Sequence, residues 1–307
     1  MSTINHDTVE APGYYVRAAS YWRYRPPYFA DSTLESSVPA FGAALSLQAK
    51  QLLARVGPAW TPAHFVVCST IISPLLTEGG EHTRAFKNEL RDTYPGAAPH
   101  IVNGYECASW GYVMRHYGAI PSTGRLLLCI ADIDVHQFHH WTDSEIWKNL
   151  WGHTGFGITT LCLECPTGSE GLTLSPGAGA GSMMEFAKSV KAHMAAAPDA
   201  TVCPPFFPVK TRQMFEKLVG GPPLLPDLHS EYGHCFGSDP WIALISRLAG
   251  SPRTRSDVIV ASLAFNGYHA VANVRVDGST YLESRDCGAM DDAGGPRKPA
   301  DALTPTH

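Results

Sequence analysis

Cys107 stands where an apolar lead-in, "IVNGYE", meets a segment whose apolar residues Trp110, Val113 and Met114 recur at helical spacing. A thiol at or just before the first turn of a helix faces free N–H groups and the positive end of the helix dipole, and both favour the thiolate. That is one way to make a nucleophile. An unpaired cysteine is also among the most often buried residues, so the same position fits a plain core thiol, and this stretch alone leaves both readings open.

Three other patterns carry chemistry-bearing residues. "CLEC" (Cys162 to Cys165) matches CxxC, but it follows strand-like "GITTL" and has no second ligand pair at zinc spacing, so alternating strand residues are expected rather than a metal site. "DVHQFHH" sets His136 and His140 four apart, beside His139, Asp132 and Asp134; a polar loop at a strand exit is expected there, not a metal centre. "GAGAG" (177 to 181) lacks the spacing and the strand-to-helix setting of a phosphate loop and reads as a connection.

The elements that must position these residues alternate. "FGAALSLQAKQLLARVG" (41 to 57) is helical and closed by Gly57 and Pro58, and "HFVVCST" is a short buried strand. After the Cys107 helix, "GRLLLCIADID" is a fully apolar strand, and "GHTGFGITTLCLE" runs from a glycine-rich turn into another. The later part repeats this grammar. "MMEFAKSVKAHMAAA" and "VKTRQMFEKLVGG" are helices around strand-like "ATVCPP". "SDPWIALISRLAG" is a helix capped by Ser238 or Asp239 with Pro240 in its first turn. "SDVIVASLAFNGYHAVANVRV" is two strands around a glycine-bearing bend. The pattern implies two related α/β halves, 13-165 and 166-276. From about Asp277 the apolar period fades, and 277-307 is expected to be a flexible tail.

Composition bounds the function. The chain has 307 residues, 44% hydrophobic and 17% charged, with a formal net charge of -5 and no lysine or arginine run. It therefore offers no electrostatic case for nucleic acid or an anionic membrane as partner. No secretory leader pattern is seen at the N-terminus and no stretch nears the roughly 18 apolar residues of a membrane span, so a cytoplasmic protein is expected. The eight cysteines, scattered through apolar segments, are expected to be reduced thiols.

Cys107 behind its lead-in, "RLLLCIADID", "WGHTGFG", "YGHCFGSDPWIAL" and "DVIVASLAFNGYHAVANV" occur in the order found in the thiolase superfamily. Over about 13 to 276 the chain most resembles a β-ketoacyl-acyl-carrier-protein synthase III. The resemblance implies a thiolase fold: two βαβαβαββ halves stacked as an α-β-α-β-α core. It also implies a homodimer built through the strand after the nucleophile helix, with a heterodimer with an intact synthase as the variant. Cys107 matches the cysteine that accepts an acyl group from acyl-CoA or acyl-carrier protein, with no metal and no separate cofactor.

Two positions depart from that family's pattern. A histidine in a PHQAN-like motif is replaced in "CPPFFPVK", where Pro205 stands at its place. At the asparagine of a YGNTSAAS-like motif the chain has His234, and "GHCFGS" nearly reproduces the GHxxGA motif of related elongating synthases. His234 is thus the expected proton acceptor for Cys107. Gly267, in the late glycine loop, is expected to let backbone approach the acyl group or serve its oxyanion, and His269, two residues on, is an additional candidate. Trp110, Phe206, Phe207, Phe236 and Trp241 are candidate pocket walls. Losing one enolate donor disfavours decarboxylative condensation, so the expected activity is acyl transfer to a nucleophilic acceptor in polyketide or fatty-acid-type metabolism. A condensing synthase and a non-catalytic partner subunit are the alternatives.

Overall fold

The computed structural model describes residues 13–288, apart from 26–27, 29–32, 72–79, 119, 121–123, 136–144, 146–148, 150–151, 167–169, 178–181, 221–223, 227 and 251–254. Strands β1 (Tyr14–Tyr24), β2 (His64–Cys68), β3 (Pro99–Val102), β4 (Arg125–Asp132) and β5 (Phe156–Glu164) alternate with helices α1 (Leu34–Val56), α2 (Gly80–Arg91) and α3 (Ser109–Gly118). Then follow β6 (Leu172–Leu174), α4 (Ser182–Ala196), β7 (Thr201–Cys203), α5 (Val209–Val219), α6 (His229–Tyr232), α7 (Asp239–Leu248), β8 (Ser256–Leu263), β9 (His269–Val276) and β10 (Tyr281–Asp286).

The pairing repeats itself. In the first unit the order is β3-β2-β4-β5-β1, with β2 parallel to β3 and β4, and β5 antiparallel to both β4 and β1. In the second, β7 is parallel to β8, and β9 is antiparallel to β8 and β6. A parallel bridge from Val202 to Leu224 occupies the place that β3 holds in the first unit. The units meet where β1 runs parallel to β9, at Tyr14 with Val274 and Tyr15 with Arg275.

Side-chain character explains the layering. β4 is buried along nearly its whole length, as a strand covered on both faces must be, and it reads as the continuous apolar run "LLLCIA". Helix α3 packs against β2 and β4 of the first unit and β6 and β9 of the second; α7 likewise touches β1, β10, β7 and β8. These two helices form the central layer, with α1 and α2 outside the first sheet half and α4 and α5 outside the second. At the centre the Trp110 and Trp241 rings meet edge to face, 5.3 Å apart, and Trp110 Nε1 donates to Ser262 Oγ at 2.8 Å.

Two expectations are corrected here. The segment from Asp277 is not wholly a tail: β10 pairs in parallel with β1 from Ala18 to Arg23, and Thr280 Oγ1 donates to Val16 O at 2.9 Å. An open edge on β1 supplies the hydrogen bonds that local composition did not announce. The strand after the nucleophile helix, β4, lies between β2 and β5, so neither of its edges is free to extend a sheet into a second copy. Residues 289–307 and the histidines 136, 139 and 140 lie outside the described residues, as does most of "GAGAG".

Candidate active site

Cys107 sits in a single 3-10 turn, Glu106–Ala108, that leads directly into α3. The residue before it, Glu106, has φ +46°, a left-handed conformation that costs a non-glycine residue on the order of 1 kcal/mol or more. The second unit has a counterpart. Phe236, at φ +53°, opens the 3-10 turn Phe236–Ser238, which leads into α7. The two turns face each other closely enough that a Cβ on Gly237 would lie 3.1 Å from Cys107 O. Strain is thus concentrated at two equivalent turns, one carrying Cys107 and the other following His234.

His234 is fixed from both sides of its backbone. Its N–H donates to His153 O at 2.9 Å and its carbonyl accepts from Gly155 N at 3.1 Å, so "WGHTGFG" serves as a splint for the histidine. The ring lies with Nε2 3.7 Å from Cys107 Sγ and Nδ1 2.6 Å from Asp239 Oδ2. Asp239 also accepts from Cys235 N (2.6 Å, Oδ1) and Phe206 N (2.9 Å, Oδ2). His234 and Asp239 are 0% exposed and Cys107 is 3% exposed. Pairing of Nδ1 with Asp239 leaves Nε2 as the ring nitrogen that faces the Cys107 sulfur. A cysteine, a histidine and an aspartate thus stand in line, in the order a proton relay would need.

Burial pushes the Cys107 thiol well up from its ordinary value, and the nearby carboxyl groups of Asp132, Asp239 and Glu106 push it further; the Thr70 hydroxyl acts the other way. A helix terminus contributes about 0.3–1 kcal/mol, whereas full burial shifts a group by up to about 3–5 pH units. Burial thus favours the neutral form of the thiol, and the ring nitrogen of His234 is the titratable group in contact with it.

The other expected site residues are engaged elsewhere. Gly267 (φ +93°) turns the loop between β8 and β9, and its N–H donates to Ala264 O at 3.0 Å, which commits that donor to the turn. His269 Nε2 pairs with Ser189 Oγ on α4 at 3.0 Å, and its ring packs on Phe186. Pro205 is buried one residue before the N–H that holds Asp239. Of the aromatic candidates, Phe236 flanks the His234 ring at 5.4 Å, Phe207 packs on Phe215, and the two tryptophans fill the central layer. Cys162 is buried in β5, and no group of three or more potential metal ligands occurs among the described residues.

Asp239 is the site residue that sequence reasoning missed, having been read as a helix cap. No side-chain cap is made at this terminus; the carboxylate is spent on His234 and two backbone N–H groups. The signal was available, because a histidine acting as base needs an acceptor on its far nitrogen, and Asp239 is the first acid after His234.

No family model and no curated protein sequence matches the chain. Solved structures do. A 3-oxoacyl-(acyl-carrier protein) synthase from Burkholderia xenovorans LB400 superposes with TM-score 0.64 at 13% identity, covering 90% of this chain and 98% of that one. ChlB3, described as an acyltransferase, gives 0.60 at 11%, covering 85% and 97%. The priming β-ketosynthase of the R1128 polyketide pathway gives 0.59 at 13%, covering 87% and 97%. The chain has the thiolase fold, in the form seen in β-ketoacyl-acyl-carrier-protein synthase III.

Proposed function

We propose that the protein is an acyltransferase that takes an acyl group from acyl-CoA or an acyl-carrier protein onto Cys107 and passes it to an alcohol, amine or thiol. The observation that carries this reading is the buried relay Cys107–His234–Asp239. His234 Nε2 removes the thiol proton as sulfur attacks the thioester carbonyl, and the carbonyl π electrons move to oxygen. Collapse of that oxyanion expels the carrier thiolate, which takes the proton back from His234. In the second half, His234 deprotonates the acceptor as it attacks the acyl–Cys107 carbonyl, and the Cys107 thiolate leaves and is reprotonated. Asp239 holds the ring in the productive tautomer throughout.

Pro205 and its neighbour favour transfer over condensation. Decarboxylation of a malonyl thioester needs donors for the enolate, each worth about 3 kcal/mol, or roughly a hundredfold in rate. At the segment where the resemblance expects one, the side chain is a proline and the next N–H is already bound to Asp239.

Intact-protein mass after exposure to acyl-CoA thioesters tests the reading. One acyl increment, mapped to Cys107, absent in Cys107→Ser and lost on adding an alcohol or amine acceptor, is expected. Rapid carbon dioxide release from malonyl-carrier protein would establish the condensing reaction instead, and absence of any acylation would leave a non-catalytic subunit.

A further inference from the structure

Cys235, the residue after His234, is 1% exposed and takes no part in the acyl-transfer steps. Its thiol nevertheless stands among contacts that converge on the bend carrying the histidine. Tyr21 of β1, itself 0% exposed, donates its hydroxyl to Cys235 Sγ at 3.6 Å. The thiol in turn donates to Tyr232 O at 3.5 Å and Gly233 O at 3.8 Å, the two carbonyls just before His234. On the backbone side, Cys235 N donates to Asp239 Oδ1 at 2.6 Å, and the other oxygen of that carboxylate pairs with His234 Nδ1 at 2.6 Å. Gly155 makes room for the sulfur: a Cβ there would lie 2.6 Å from Sγ and run into Tyr232 O.

A cysteine suits this place by size and by reach. A thiol is a weak donor and a weak acceptor, so no one of these contacts holds the bend alone. Sulfur meets three partners at 3.5–3.8 Å, whereas a hydroxyl needs each partner at about 2.7–2.8 Å and could satisfy fewer of them at once. We propose that Cys235 is a positioning residue for His234: Tyr21 ties its sulfur to β1, the sulfur fixes the Tyr232–Gly233 bend, and its N–H fixes the Asp239 carboxylate, so that Nε2 is held 3.7 Å from Cys107 Sγ. This rests on the reading of His234 as the base for Cys107. Burial pushes the Tyr21 hydroxyl and the Cys235 thiol both well up, which favours the neutral, hydrogen-bonding form of each. They act by geometry, not by proton transfer.

The rate of iodoacetamide alkylation at Cys107 as a function of pH, resolved by peptide mass mapping, tests this without an acyl donor. Tyr21→Phe and Cys235→Ala should each lower the rate at neutral pH by about tenfold, and Cys235→Ser, which keeps a hydroxyl between Tyr21 and the bend, should recover part of the loss. In a His234→Ala background neither substitution should slow alkylation further, because the ring through which they act is gone. If both single variants react like the wild type, or lose as much again in the His234→Ala background, the positioning role is wrong; a lower urea midpoint with an unchanged rate is the same negative result. Tyr21→Phe, which deletes one oxygen, carries the test should Cys235→Ala fail to fold. His234→Ala reacting as fast as the wild type would overturn the reading of His234 as the base and this proposal with it, whereas the expected pattern with no acyl transfer from any thioester would overturn the acyltransferase reading alone.

Discussion

Asp239 and Asp132 are buried aspartates around the same Cys–His pair, and their hydrogen bonds assign them different roles. Asp239 accepts three, one of them from His234 Nδ1. His234→Ala should lower acylation of Cys107 by about 10² to 10⁴ without unfolding the protein. Asp239→Asn should cost a comparable factor, because an amide can present its NH₂ to Nδ1 and turn the ring proton onto Nε2, facing the sulfur; acylation kinetics by mass spectrometry read both. Asp132 instead has one unsatisfied oxygen, and burial pushes its carboxyl up to about 6, offset only in part by the N–H groups of Thr70 and Ile71, the Ser69 hydroxyl and His234. A raised carboxyl favours the folded state only while protonated. Its contribution is fully present below about pH 4 and is lost as pH rises through about 6. Asp132→Asn removes that loss, so the variant should exceed the wild type in stability by up to about 3 kcal/mol at pH 8, with the gap closing toward pH 4. Urea melts at the two pH values decide it, and a variant weaker at pH 8 would contradict the assignment.

Strand β10 shows what an element contributes that its own sequence does not announce. "YLESRD" is polar and half-exposed, but it closes the edge of β1 over six residue pairs, and Arg285 lies over the Trp22 ring at 4.5 Å. Truncation after Val276 should lower the melting temperature by several degrees and leave β1 open to pairing with other chains, seen as aggregation in light scattering. Elements with a strong period or an unbroken apolar run, such as α4, α7, β4 and β8, were legible in the sequence. β1 was not, since Arg17 and Arg23 interrupt "YYVRAASYWRY"; the structure accommodates Arg17 against Glu164 at 2.9 Å and over the Tyr15 ring. Three-residue β6 exists only because β9 offers it a partner. The site divides in the same way. Cys107 and His234 were singled out from local sequence and a family pattern, whereas their approach to each other, and that of Asp239 to His234, depends on how the turns before α3 and α7 meet.

At the scale of the whole molecule, the repeat places one strained turn from each half at a shared centre, so the relay is completed across the two units. Cys107 comes from the first and His234 with Asp239 from the second, and the central helices α3 and α7 must dock correctly for the 3.7 Å contact to exist. Gly111 is where that docking is tightest. A Cβ there would run into the Ala270 Cβ on β9 and come within 3.0 Å of Leu174 Cδ2 on β6, and neither the alanine methyl nor the strand behind it can swing aside. Gly111→Ala gains about 1 kcal/mol of helix propensity, but overpacking costs about 1–3 kcal/mol, and a collision with a side chain as short as alanine belongs at the upper end. The variant should be less stable by about 1–2 kcal/mol, and it should acylate more slowly because α3 carries Cys107 at its start. Since this layer is common to both halves, unfolding should remain one cooperative transition, followed equally by Trp60 in the first unit and Trp241 in the second. Two separated transitions, or a midpoint raised by Gly111→Ala, would show that the halves are not locked together through α3.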